Sequence, residues 1–100
     1  VGYAFHITRA ENWFDSESAP ISREEWERLA DEFAALRADE FVDWTDIGPQ
    51  KLYVIEGETA SFSWRKGKVD IEGSYTDVVE EIANELASLL GGKVQGDDED

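Results

Sequence analysis

The sequence contains no cysteine and a single histidine. The first absence excludes disulfides and thiol nucleophiles and fits a reducing cytoplasm. Together the two remove the common zinc sets, which draw on several His and Cys side chains. No serine lies in a G-x-S-x-G turn, and no glycine-rich loop of the phosphate-cradling kind is present. No apolar run approaches the roughly 20 residues of a membrane span, and no charged-then-apolar leader opens the sequence given. Positive charge is scarce as well: nine Lys and Arg stand against 24 Asp and Glu, a formal net charge of −15.

That balance bears on partners. A strongly negative surface repels nucleic acid and anionic membranes and attracts basic proteins over long range. Only Arg65, Lys66 and Lys68 cluster among the cations, at an expected hairpin tip. The acidity has a second reading, a general solubility bias, because net charge alone specifies no site. Length is that of one domain with one core, and four Trp, three Tyr and five Phe are enough to fill it.

The chain is organised around residues 51–90, which read as a three-stranded meander followed by a long helix. Lys66-Gly67 closes a two-residue hairpin, Gly supplying the positive φ that such turns need. That register sets Trp64 opposite Val69 and Phe62 opposite Ile71, so the large apolar side chains share a face. A turn at Gly57-Glu58 pairs Tyr53 with Phe62 and Ile55 with Ala60 on the same face. Strands are expected at about 51–56, 60–65 and 68–72. The first is apolar on both sides, as an interior strand would be, whereas Ser61, Ser63, Asp70 and Glu72 mark a half-solvated outer face.

Ahead of the meander, residues 2–9 alternate with period two, placing Tyr3, Phe5 and Ile7 on one face and Ala4, His6 and Thr8 on the other. Residues 10–20 are loop-formers that carry two large rings, Trp13 and Phe14, which must fold back or meet a partner. Ser22 and Glu25 form a capping box, with Ile21 and Trp26 at the positions of a hydrophobic staple. Trp26, Leu29, Ala30, Phe33 and Leu36 then recur at helical spacing, so the helix is expected to end near Arg37.

Residues 38–50 mix Phe41, Val42 and Trp44 with acids and suit a short strand or an aromatic-bearing loop equally, ending at Gly48-Pro49. Thr76 caps the last helix, whose stripe Val78, Val79, Ile82, Ala83, Leu86, Leu89 and Leu90 reads as buried and stops at Gly91-Gly92. Lys93-Val94-Gln95 suits a brief edge strand, and residues 96–100 read as a frayed acidic tail. The architecture expected is α+β: a mostly antiparallel sheet of four to five strands with two helices packed on one face, in a single domain over 1–100.

Gly2, Tyr3, the run His6-Ile7-Thr8-Arg9-Ala10 and Trp13 give the pattern G-Y-x-x-H-I-T-R-x-x-x-W. Ile21-Ser22 with Glu25-Trp26 gives I-S-x-x-E-W, and Val94 to Asp98 gives V-Q-G-D-D. In these the chain resembles a group of small bacterial proteins, at both ends and in the first helix, with a looser match between. The resemblance implies no catalytic residues. Size and acidity resemble those of immunity proteins that neutralise secreted bacterial toxins, a likeness of type rather than of motif.

The resemblance directs attention to His6, Thr8, Arg9, Glu11 and Trp13 and to Gln95, Asp97 and Asp98. These form one candidate polar cluster if the end strand lies beside the first. As a general base His6 would need a partner such as Thr8 or Glu11. The alternative is a histidine hydrogen-bonded beneath a loop. The tail acids Asp97 to Asp100 lack the ligand alternation, central Gly and terminal Glu of an EF-hand, so no metal and no cofactor is implied.

A second candidate set consists of rings beside acids: Trp13, Phe14, Asp15 and Trp44, with Glu24, Glu27 and Asp31 on the first helix and Asp39, Glu40, Asp43 and Asp46 after it. Rings of this kind supply affinity at protein interfaces and flanking charge supplies association rate. The expectation is a cytoplasmic, non-catalytic binding protein, a monomer or weak dimer. It would occlude a basic partner such as a toxin domain, a nuclease being one instance, and would bind neither nucleic acid nor membrane. The alternatives are a module that self-associates through a sheet edge, or a small ligand-binding protein or enzyme using His6 with Glu11 or Asp97.

Overall fold

The computed structural model describes residues 4–44 and 48–96, with the backbone alone for 40–44 and 48–50. Strand β1 (Phe5–Thr8) leads into a 3-10 helix (Trp13–Ser18) and helix α1 (Arg23–Glu32). Then come β2 (Arg37–Trp44), β3 (Gly48–Val54), β4 (Ser61–Arg65), β5 (Lys68–Glu72), helix α2 (Asp77–Leu89) and β6 (Lys93–Gly96). The architecture is α+β, built on one antiparallel sheet in the order β2-β3-β4-β5-β1-β6. It has six strands where four or five were expected, and the loop after β1 contributes a third, 3-10, helix.

The meander forms in the register that its turns dictate. Trp64 pairs with Val69, Phe62 with Ile71 and Tyr53 with Phe62. Lys66 and Gly67 both take positive φ, +52° and +85°, the geometry of a type I′ turn whose twist matches its strands. A Cβ on Gly67 would also lie 3.0 Å from Pro20 Cβ and 3.1 Å from the Ser16 carbonyl oxygen, so this tip admits no larger residue without displacement. The other reversal lies one residue earlier than Gly57-Glu58, because the Glu58 N–H donates to the Ile55 carbonyl at 3.0 Å.

One face of the sheet carries the core. Ile7, Tyr53, Phe62, Val69 and Ile71 are buried together with Trp26 and Ala30 of α1 and Val79, Ala83 and Leu86 of α2. Trp26 meets Tyr53 edge-on at 5.6 Å and lies nearly parallel to Phe62 at 6.3 Å. Truncating a buried ring of this kind costs about 3–5 kcal/mol. Ser22 caps α1 as expected, its Oγ accepting from the Glu25 N–H at 3.1 Å, and the staple residues Ile21 and Trp26 are both buried. Thr76 caps α2 in the same way through the Val79 N–H at 3.3 Å. At the far end Gly92 N–H donates to Ala87 O and Gly91 N–H to Ser88 O, a Schellman closure with Gly91 at φ +72°.

Four expectations fail. Helix α1 ends at Glu32 rather than near Arg37, because Phe33 is extended and the Leu36 N–H closes a turn onto the Phe33 carbonyl. That turn still buries Leu36, so helical spacing alone did not reveal the break. Gly48 and Pro49 do not end a segment but open β3, which pairs with β2 from Trp44–Gly48 onward and resolves the ambiguous stretch as a strand. Of the apolar residues of α2, Val78 is 51% and Leu89 60% exposed, because the buried face is centred on Val79, Ala83, Leu86, Ala87 and Leu90. Gly96 is paired with Phe5 in β6 rather than frayed, and the rest of the expected tail, 97–100, lies outside the described residues.

Candidate functional site

The second face of the sheet is polar over β4, β5, β1 and β6, and at one place it is covered. Strand alternation sends His6 and Thr8 to the side opposite Phe5 and Ile7. Across the ladders Ser63 lies opposite Asp70, Asp70 opposite His6, and His6 opposite Gln95. This gives a row of four polar side chains over β4, β5, β1 and β6, and all four residues are buried. Ser63 and Asp70 were expected on a solvated outer face. The 3-10 helix changes that by folding back over β1 and β5.

The cover is fastened at several points. The Trp13 ring lies on the His6 ring with centroids 4.2 Å apart and planes 18° from parallel. The Trp13 N–H donates to Gln95 Oε1 at 2.6 Å, and Gln95 Nε2 donates to Asn12 Oδ1 at 3.4 Å. Beside them the hydroxyls of Thr8 and Ser16 are 2.7 Å apart, and Thr8 Oγ1 also accepts from the Ala10 N–H. His6 Nδ1 is 2.7 Å from Asp70 Oδ1, and the same oxygen lies 3.3 Å from Lys68 Nζ. Buried polar groups are costly unless paired, and His6, Asp70 and Gln95 of this row each meet a polar neighbour.

Chemically, His6 and Asp70 form an oriented acid–histidine pair. The Thr8 hydroxyl is engaged by Ser16 rather than by His6. Glu11 contributes its backbone carbonyl to Lys93 Nζ while the residue stays exposed. Among the described residues no group of three His, Asp or Glu is placed to hold a metal ion.

The two candidate clusters are partly brought together. Ile7 lies opposite Val94, so His6, Thr8 and Gln95 share a face. Arg9, one residue on, belongs to the opposite side and leaves the cluster. Its Nε donates to the Leu90 carbonyl at 2.6 Å, Nη1 to Pro20 O at 3.3 Å, and Nη2 pairs with Glu25. A cation there meets the negative end of α2 and joins it to the start of α1. The Arg9 guanidinium, first through its hydrogen bond, holds the Glu25 carboxyl below the usual glutamate range. Asp97 and Asp98 lie outside the described residues.

Of the ring-and-acid set, Phe14 stands out at 59% exposure, edge-on to Trp13 at 5.9 Å. Asp15 and Glu24 are exposed beside no ion-pair partner among the described residues. Glu27 is paired with Arg23 at 2.9 Å. Asp31 accepts from the Tyr53 hydroxyl at 2.7 Å and faces Lys51 Nζ at 3.6 Å, so two of the three helix acids are already engaged within the chain. Burial, then the Asp31 carboxylate, pushes the Tyr53 phenol well above its ordinary value. Asp39 lies 3.4 Å from Arg37; Glu40, Asp43 and Trp44 are placed by backbone only, in the edge strand β2, and Asp46 lies outside the described residues.

A cleft of about 270 Å³ opens between the 3-10 helix and the β4–β5 tip. Trp13, Phe14 and Glu17 line one side, and Arg65, Lys66 and Lys68 the other. In the sequence that cationic trio stands about fifty residues from the rings, with no local signal to join them. The signal available was that Trp13 and Phe14, aperiodic and apolar, needed a surface to fold onto. In comparisons with protein-family models, with curated proteins and with solved structures, the chain matches none.

Proposed function

We propose that this chain is a non-catalytic binding protein of the immunity type, which occludes a basic toxin domain by contact. The observation that carries this reading is the Phe14 ring, 59% exposed on a segment pinned by its neighbours on both sides. Trp13 holds that segment to the sheet, so Phe14 is presented with little conformational freedom left to lose on binding. Glu11, Asp15 and Glu17 are exposed around it, an arrangement suited to steering a cationic surface onto a ring. The acids of α2 (Asp77, Glu80, Glu81 and Glu85), on a helix without a single Lys or Arg, extend the negative field.

Support for contact over covalent chemistry comes from His6, which is covered by Trp13 and committed to Asp70. Support over self-association comes from the edge strand β2. It carries Asp39, Glu40 and Asp43 and a bulge between Ala38 and Glu40, features that discourage edge-to-edge pairing. A cytoplasmic site of action belongs to the same proposal. Among the described residues no helix is long and apolar enough to cross a membrane.

The test is inhibition in trans. The chain is mixed with a basic toxin domain, taken from a neighbouring reading frame where one is encoded, and that domain's activity is followed against the molar ratio. Loss of activity at equimolar addition, abolished by Phe14→Ala, is expected. Undiminished activity in excess chain at low salt contradicts the proposal.

A further inference from the structure

Among the described residues, the large apolar side chains left exposed are Phe14, Val78 and Leu89. The last two belong together. They lie almost three full turns apart on α2, on one line of the helix about 16 Å from end to end. Half-buried Ile82 sits on the same line between them. This line is separate from the packed side of α2, which is centred on Val79, Ala83 and Leu86. It follows the flank turned towards α1, because Leu89 and Leu90 meet Glu25, Arg28, Leu29 and Glu32 across a depression of about 190 Å³.

The shape favours a helical occupant. The depression has room for an aliphatic side chain, and Ile82 and Val78 continue the apolar line beyond it. Apolar contacts repeated at three- and four-residue spacing are what a helix laid in a groove supplies. Charge decides which helix. The α1 segment carries five carboxylates and two arginines, and α2 carries four carboxylates and no cation. Glu85 falls on the apolar line itself, and neither it nor Glu32 has an ion-pair partner among the described residues. Arg28 is the single cation lining the depression, and it shares one helical ridge with Glu25 and Glu32. An occupant therefore gains by bringing aliphatic residues flanked by positive charge.

We propose that the flank between α1 and α2 is a docking groove for a cationic amphipathic helix of about three turns. One aliphatic side chain fills the depression between Leu29 and Leu89, and lysines or arginines beside it meet Glu32 and Glu85. The groove lies on the helical side of the sheet, whereas Phe14 is carried over the other face by the 3-10 helix. This surface is thus separate from the toxin contact, and neither reading requires the other.

The probe is a synthetic Leu–Lys peptide of about 14 residues, with leucines at helical spacing. One control peptide replaces each Leu by Ala, and another replaces each Lys by Glu. Each is titrated into the intact chain at low salt and followed by amide and methyl NMR shifts. The Leu–Lys peptide is expected to give saturable shifts at Leu29, Ile82 and Leu89, with a Kd on the order of 100 μM. The alanine peptide should bind at least about tenfold more weakly, and the glutamate peptide not at all. Leu89→Gln should weaken the Leu–Lys peptide about tenfold and Glu85→Gln about threefold. Both positions are exposed, so unchanged thermal unfolding of the variants separates lost binding from lost fold. Equal binding of the leucine and alanine peptides would overturn the proposal by reducing it to charge attraction. So would binding of the glutamate peptide, shifts that map elsewhere, absence of saturable shifts, or Leu89→Gln binding as wild type. Dilution of the chain alone moving the Leu29 and Leu89 resonances would also overturn it, by assigning the groove to a second copy.

Discussion

The indole of Trp13 lies flat against the imidazole of His6, with centroids 4.2 Å apart, and through that contact a loop without periodicity becomes a lid on the polar face of the sheet. Beneath it, His6 and Asp70 sit opposite one another on β1 and β5. Removing the ring exposes both.

Trp13→Ala is therefore expected to cost about 2 kcal/mol in urea unfolding, less than the 3–5 kcal/mol of a fully buried ring because Trp13 is only half-buried. Trp13→Phe keeps a ring over His6 and should recover most of that loss. A Trp13→Ala variant within about 0.5 kcal/mol of wild type would show that the stack contributes little.

At the β4–β5 tip, Lys66 holds φ +52°, a conformation that costs most L-residues about 1–2 kcal/mol and asparagine less. Lys66→Asn creates the Asn-Gly pair that type I′ hairpins prefer and should raise stability by about 0.5–1 kcal/mol. Gly67→Ala, strained and crowded by Pro20, should lower it. Thermal unfolding of the two variants beside wild type checks both signs.

Arg9 and Glu25 give a pH dependence. The Glu25 pKa is lowered in the folded chain, so its contribution is present above the unfolded-state value and is lost as pH falls through the folded one. Because the pair is substantially solvent-exposed, the difference between wild type and Glu25→Gln should be below about 1 kcal/mol at neutral pH. It should shrink toward zero under acid conditions, below the usual glutamate range. A difference that grows on acidification would contradict the assignment.

The meander could be read in advance because each of its turns leaves one register that keeps Tyr53, Phe62, Trp64, Val69 and Ile71 on one face. The two α-helical starts were legible for a similar reason: Ser22 and Thr76 are caps with a local mechanism. What escaped depended on contacts distant in sequence. Asp70 and Ser63 look solvated on their own strands yet are buried in the fold, where residues 13–18 pack over β1 and β5. Arg9 looks like a neighbour of His6 but is sent by strand alternation to the opposite face, toward Leu90 and Glu25. The acids of α1 looked like one surface, yet Asp31 and Glu27 are engaged by Tyr53, Lys51 and Arg23. Phe14 and Trp13 were indistinguishable as adjacent rings; the fold turns one inward and leaves the other outside.

That division is the centre of the account, and it is tested most directly by stopped-flow association of the chain with a basic toxin domain of the kind proposed above, at low and physiological salt. The account predicts an on-rate that falls about tenfold or more between the two, together with a Phe14→Ala variant that folds as wild type but dissociates at least about tenfold faster. An on-rate indifferent to salt, or a Phe14→Ala complex as long-lived as wild type, would contradict it.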